Sequence, residues 1–287
     1  MSLILVTGSD GQLGRSIKVI ANQYPNFDFI FTDVGQLDIT NQDQINQFFH
    51  DKRPSYLINC AAYTAVDKAE TEIELAKQLN VEACRMLANA CKEYETTLIH
   101  ISTDFVFDGQ KNQPYIEEDA TEPVSAYGKS KLAGEKTIVD KLDDFVIFRT
   151  AWLYSEYGHN FVKTIMNKGA ELGKLKVVYD QIGTPTYALD LAKAICDVIS
   201  TPCFSRGIFH FTNEGVISWY DFAKAIVEIA DIECEIQPIP SVEFPTPAVR
   251  PKYSVLDKTS LKSTYSMQIP YWRDSLKKCI NNLKNIK

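Results

Sequence analysis

Tyr127 and Lys131 are the first candidates for chemistry in this sequence, four residues apart in a segment that reads as helix. At about 100° per residue they share one face, about 6 Å apart along the axis. A phenol with its ordinary pKa near 10 is a poor acid at neutral pH, and an ammonium alongside favours the phenolate. Just upstream, the apolar run 98–101 reads as a buried strand that delivers Ser102, Thr103 and Asp104. A hydroxyl from Ser102 or Thr103 could hold a substrate oxygen against the phenol. That combination suits proton transfer to or from a carbonyl or alcohol oxygen. The Tyr-x-x-x-Lys spacing is common in helices, so its meaning depends on what the rest of the chain places beside it.

The elements that must position these groups begin at the N-terminus. Residues 3–7 form an apolar run without polar alternation, the pattern of a strand buried on both faces. Gly8, Gly11 and Gly14 follow at G-x-x-G-x-x-G spacing, and helical periodicity resumes over 15–22. Strand, glycine turn and helix in succession turn a glycine pattern into a dinucleotide-binding hypothesis. Gly8 allows a tight turn, Gly11 lets the backbone approach a pyrophosphate, and Gly14 lets the helix pack close to the strand. The next strand, Phe27–Phe31, ends near Asp33, which lies 19 residues after Gly14, close to the spacing of the acid that binds an adenosine ribose. A carboxylate there favours NADH over NADPH by repelling a 2′-phosphate; Arg15 could offset it, so both coenzymes stay open.

Further β–α units follow: a helix over 42–51 capped by Thr40 or Asn41, a strand from Tyr56 into Asn59 and the small residues Ala61 and Ala62, and a long amphipathic helix over 72–94. Small side chains at a strand's carboxyl end let a flat cofactor lie close to the backbone. Ser125 caps the helix carrying Tyr127 and Lys131; Gly128 in its first turn costs about 1 kcal/mol relative to Ala, which makes sense where something approaches closely. Repeated β–α alternation predicts an α/β fold with a doubly wound parallel sheet of the Rossmann type, whose ligands sit beyond the strands' carboxyl ends. The expected division is a dinucleotide-binding domain over 1–155, completed by about 187–211, and a smaller substrate-binding lobe over 156–287. Within that lobe 183–186 reads as a turn, and the prolines at 238, 240, 245, 247 and 251 as an irregular segment.

Composition narrows the function classes. The 287 residues are 45% hydrophobic and 23% charged, which is ordinary for a globular protein. A net charge of −7 argues against a general nucleic-acid surface, and no apolar run reaches the roughly 18 residues of a membrane span. Seven cysteines without a C-x-x-C pair predict no disulfide framework, and packed thiols such as Cys84 and Cys91 suit a cytoplasmic protein. The four histidines show no metal-ligand spacing.

With these residues in view, the chain resembles the extended short-chain dehydrogenase/reductases, and within them the dTDP-4-dehydrorhamnose reductase family. The resemblance spans nearly the whole chain. It rests on the glycine turn 8–14, Asp38-Ile39-Thr40, the runs 59–70 and 102–109, Tyr127-Gly128-Lys129-Ser130-Lys131, Arg149-Thr150-Ala151-Trp152, the run 183–186 and Arg250-Pro251. It implies reduction of the C4 ketone of a dTDP-linked 4-dehydro-6-deoxy sugar by NADPH or NADH. Tyr127 is then the proton donor, Lys131 lowers its pKa and binds the nicotinamide ribose, and Thr103 supports the phenol or the substrate oxygen. Gly11, Gln12, Leu13, Asp33, Asp38, Ile39, Ala61, Ala62 and Tyr63 are implied to line the cofactor, and Thr103, Asp104, Trp152 and Arg250 to meet the sugar nucleotide.

The related 4,6-dehydratases carry Thr-Asp-Glu, whereas Phe105 follows Asp104 here, which argues against elimination chemistry. A 4-epimerase needs the same Tyr and Lys, so it stays as an alternative, as does another nucleotide-sugar 4-reductase. A non-catalytic binding subunit of this fold is expected to lack Thr103, Tyr127 or Lys131, and all three are present. Some members are described with a divalent cation such as Mg at a dimer contact. Asp190 lies in a comparable region, but one acid is not a site, so no metal is expected. The expected assembly is a monomer or weak homodimer.

Overall fold

In the computed structural model, which describes residues 1–201 and 204–285, the apolar runs pair into one six-stranded sheet. Strands β1 (Ser2–Thr7), β2 (Phe27–Phe31), β3 (Tyr56–Asn59), β4 (Thr97–Thr103) and β5 (Phe145–Thr150) are joined at one edge by the strand Gly207–His210. The order across the sheet is Gly207–His210, β5, β4, β3, β1, β2, and every pair is parallel. The chain winds outward in both directions from β1, so the topological switch point lies at the carboxyl ends of β1 and β3.

Alternate strand residues face opposite layers, which is why the strands read as continuous apolar runs. Ile4, Val6, Ile58, Ile99, Val146 and Phe148 pack with Leu13, Ile17, Leu191 and Ile195 of the helices Gln12–Ile20 and Ala188–Ser200. Leu5, Leu57, Leu98 and Ile147 pack on the other side with Ile45, Phe49, Leu87 and Ile138 from the helices Gln42–Lys52, Ala83–Glu93 and Ala126–Lys141. Cys84 and Cys91 share this second face as free thiols.

Caps set several boundaries. Of the two candidates before the helix Gln42–Lys52, Asn41 is the cap, accepting from the amides of Asp43 and Gln44, both at 3.1 Å. Thr40 instead donates its hydroxyl to Asp38 at 2.7 Å. Ser125 accepts from the Gly128 amide as expected. The helix expected to run unbroken over 72–94 contains a π turn at Gln78–Glu82. There Asn80 clasps the Tyr63 backbone, accepting from its amide at 2.9 Å and donating to its carbonyl at 3.0 Å, and reaches Ser130 at 2.9 Å. A side chain holding two neighbours in this way explains the extra residue in the turn.

The smaller region is built on three helices, Phe161–Leu172, Trp219–Ala230 and Trp272–Asn285, around their own apolar core. Two short parallel strands, Lys174–Val178 and Glu235–Ile239, lie beside them. Pro238 sits within the second of these, tolerated because the pair has free edges. The run expected as a plain turn at 183–186 instead spans the ends of two short strands. Ile182–Gly183 pairs with Ile217–Ser218, and Thr186–Tyr187 with Leu153–Tyr154. Among the described residues no helix is long and apolar enough to cross a membrane.

Candidate active site

Beyond the carboxyl ends of the sheet lies a cavity of about 980 Å³, to which both regions contribute walls. One end is the glycine turn. Gly8 has φ +62°, and a Cβ there would lie 2.7 Å from the Ala61 amide nitrogen, so glycine is required on both counts. Gly11 stands at the N-cap with no side chain satisfying the first amides of the helix Gln12–Ile20. Those amides are therefore open to an anion. Gly8, Gly11, Gln12 and Leu13 line the cavity, with Asp33, Asp38, Ile39, Ala61 and Ala62 around them. Asp33 accepts from the amides of Asp10 at 3.0 Å and Val34 at 2.8 Å, which fixes its carboxylate at the end of β2. Gly14 is not in the cavity wall; it lies behind the turn, where a Cβ would meet Ser9 Cα at 2.5 Å, so its role is close packing. Tyr63 is not brought in either, because its hydroxyl donates to Glu72 at 2.7 Å.

The other end holds Ser102, Thr103, Asp104, Tyr127 and Lys131 together. Strand β4 delivers the first two, and a short 3-10 turn, Asp104–Val106, carries the third. That turn packs directly on the helix bearing Tyr127: a Cβ on Gly128 would sit 2.2 Å from the Phe105 carbonyl oxygen. The group that Gly128 admits is thus this chain's own backbone. Tyr127 is buried edge-on against Phe105, with ring centroids 5.6 Å apart. Burial pushes its phenol well above the ordinary value, the Thr103 hydroxyl pulls the other way, and Asp104 adds to the rise. The lowering expected from Lys131 is absent from this geometry. Its ammonium is directed instead to the Ile101 carbonyl at 2.6 Å and to the His100 ring at 3.3 Å.

Asp104 is almost fully buried, and its Oδ2 has no hydrogen-bond partner. Oδ1 accepts from the Thr103 hydroxyl at 3.0 Å. Burial pushes this carboxyl up to about 6 from 3.8, against the partial offset of the nearby Ser254 and Thr103 hydroxyls. A raised folded-state value means that the acid favours folding below its unfolded pKa and that this is lost as pH rises through about 6. Asp104→Asn mimics the protonated acid. It is expected to stabilise the protein by about 3 kcal/mol at pH 8 and by less than about 1 kcal/mol at pH 4. Denaturant titrations at the two pH values check this; an equal effect at both would show that the carboxyl is not strained by burial.

Two more side chains, one just after β5 and one far along the chain, complete the wall. Trp152 lines the cavity with a left-handed backbone (φ +48°) and stacks on Trp219, ring centroids 3.6 Å apart. Arg250 also reaches the wall, but both terminal nitrogens grip Asp67, at 2.9 Å and 2.8 Å. That fork holds the Asp67 carboxyl below its usual value and ties the segment at 248–250 to the 64–70 loop. Residues missed from sequence include Trp219, Phe161, Gly158 and His159 in the wall. Gln12 connects to this side, accepting from Ser155 at 3.1 Å and Asn160 at 3.0 Å. Ser218 caps the helix Trp219–Ala230, accepting from the Asp221 amide at 3.1 Å, and so sets Trp219 at the helix start. Among the described residues no cluster of three or more His, Cys, Asp or Glu could hold a metal ion.

Comparisons with known proteins show the family and the fold. The family model described as the RmlD substrate binding domain matches residues 1–285. A dTDP-4-dehydrorhamnose reductase from Aggregatibacter actinomycetemcomitans is 38% identical, covering 96% of this chain and 98% of the relative. A crystal structure of a dTDP-4-dehydrorhamnose reductase from Clostridium acetobutylicum superposes with TM-score 0.94 at 44% identity, over 98% of this chain and 99% of that one. The Bacillus anthracis enzyme of the same name, in complex with NADP, gives TM-score 0.94 at 38% identity over 98% and 100%. With the match running through both the glycine turn and the smaller region, this chain belongs to the dTDP-4-dehydrorhamnose reductase family.

Proposed function

We propose that this chain reduces the C4 ketone of dTDP-4-dehydro-6-deoxy-L-mannose to dTDP-L-rhamnose with NADPH or NADH, a step in cell-surface polysaccharide synthesis. The observation that carries the reading is the opening of Thr103, Tyr127 and Lys131 into the cavity that begins at the Gly8–Gly11 turn. The open amides after Gly11 suit a pyrophosphate, Asp33 a ribose, and the small Ala61 and Ala62 a flat ring. When bound, the reduced nicotinamide supplies the hydride. Tyr127, held protonated by burial, donates its proton to the C4 oxygen, so no free alkoxide accumulates. Thr103 holds that oxygen in place, and Lys131 returns a proton to the phenolate. Asp104 and Trp152 flank the sugar, and Arg250 closes the far wall through its grip on Asp67. We take residues 1–155, with about 187–211, as the dinucleotide-binding domain and 156–287 as the substrate lobe, in a cytoplasmic monomer or weak homodimer without a required metal. Light scattering with and without chelator tests the last two points.

Turnover with the 4-keto sugar nucleotide generated in situ, followed by product stereochemistry, tests the reaction. A 6-deoxy-L-talose product would refute the stated specificity. For the coenzyme, Asp33→Ser is expected to shift the kcat/KM ratio towards NADPH by about tenfold, a repulsion of about 1.4 kcal/mol removed. An unchanged ratio in parallel assays would take Asp33 out of coenzyme selection.

A further inference from the structure

Behind Lys131 lies a buried polar chain that the proposed reaction leaves unassigned. The Thr7 hydroxyl donates to Asn59 Oδ1 at 2.7 Å, and the Ala61 amide donates to the same oxygen at 3.3 Å. Asn59 Nδ2 faces His100 Nδ1 at 3.2 Å, and His100 Nε2 faces Lys131 Nζ at 3.3 Å. All four side chains, Thr7, Asn59, His100 and Lys131, are essentially inaccessible to water.

The donors decide the protonation pattern. Turning the Asn59 amide over would set its NH2 against the Ala61 N–H and leave a buried amide without an acceptor, a costly arrangement. Nδ2 is therefore the group facing His100, and Nδ1 must accept. Burial and the adjacent lysine keep the ring neutral. A neutral ring accepting at Nδ1 carries its proton on Nε2, pointed at Lys131. An ammonium there meets another donor, whereas an uncharged amine offers a lone pair to it.

We infer that His100 is a positioning residue that weakens the hold of Lys131 on its proton, with its tautomer locked by Asn59. The inference rests on the proposed reduction for its kinetic consequence. After Tyr127 has given up its proton, a lysine held in this way returns one to the phenolate more readily. The other groups facing Lys131 oppose this or are already engaged. Cys84 lies across from it on the helix Ala83–Glu93, its Sγ 4.0 Å from His100 Nε2. Glu135 on its own helix favours the ammonium but is paired with Arg149 of β5 at 2.7 Å. Tyr127 on that same helix completes the set.

The test combines a tautomer measurement with pH profiles. In 15N-histidine-labelled wild type, His100 is expected to show the Nε2–H tautomer; the Nδ1–H tautomer would overturn the inference. His100→Leu removes the donor, and the alkaline limb of the kcat–pH profile is expected to move up by about one unit. Asn59→Asp offers Nδ1 an acceptor, so Nε2 becomes an acceptor for Lys131 and the limb again moves up. A limb that stays in place while kcat falls would mean that His100 only packs, and a downward shift would mean that it accepts from the ammonium. Should His100→Leu not fold, Asn59→Asp and the wild-type tautomer decide the matter. If wild type shows no turnover, the proposed reaction fails while the tautomer still judges the inference.

Discussion

Tyr127→Phe is expected to lower kcat by about 10² to 10⁴-fold and to leave the KM for the coenzyme unchanged. That range is the usual contribution of a positioned general acid, and a loss confined to kcat marks an interaction made only in the transition state. The substitution is clean for structural reasons. The ring keeps its edge-on contact with Phe105 and its place beside Tyr63, Ala69 and Ala76. The Thr103 hydroxyl keeps Asp104 as its acceptor at 3.0 Å, so no buried donor is orphaned. A folded variant with unchanged coenzyme binding and wild-type kcat would move the acid elsewhere. Asp104 would then be the next group to examine, since its carboxyl is pushed up to about 6 in the same cavity. Tyr127 keeps its proton throughout, because burial holds it above the ordinary phenol range, so the alkaline limb of the wild-type profile belongs to Lys131, which burial lowers.

What could be read from the sequence was local. Each sheet strand except the two-sided edges is a short apolar run, and the faces of Leu5 against Ile4 and Val6 follow from period two. The glycine turn, the shared face of Tyr127 and Lys131, and the capping Ser125 are likewise set within a few residues. The features that were not legible depend on partners far along the chain. Arg250 meets Asp67 across 183 positions, and Gln12 meets Asn160 across 148. Trp219 enters the wall only because the smaller region folds back over the sheet. Even the face shared by Tyr127 and Lys131 did not reveal where the ammonium points; that is set by His100 and the Ile101 carbonyl on a neighbouring strand. Helical spacing reports which side chains are neighbours, not which acceptor each one chooses.

The same limit hid the ion pair beneath the site, which should have the largest effect on stability. Arg149→Met is expected to cost about 3–5 kcal/mol of unfolding free energy, the range for breaking a buried pair from one side. Glu135 and Arg149 are nearly fully buried, and the guanidinium donates to both carboxylate oxygens, at 3.0 Å through Nε and 2.7 Å through Nη2. Glu135 also accepts from the Ser102 hydroxyl, and Arg149 lies over the Phe107 ring at 5.1 Å and reaches the Glu117 carbonyl. Removing the arginine leaves a carboxylate with one neutral donor in an apolar layer. Removing both charges does not: Arg149→Met with Glu135→Leu should recover most of the loss, since a matched apolar pair avoids the desolvation cost altogether. Chemical denaturation of the two singles and the double closes the cycle, and a double variant as unstable as the worse single would show that the pair acts through shape rather than charge. The kinetic readout separates the pair's two roles. In the double variant Ser102 loses its acceptor while Thr103 and Lys131 keep theirs, so recovered stability with reduced turnover would place Ser102 among the groups that hold the site in register, and full recovery of both would confine the pair to the fold.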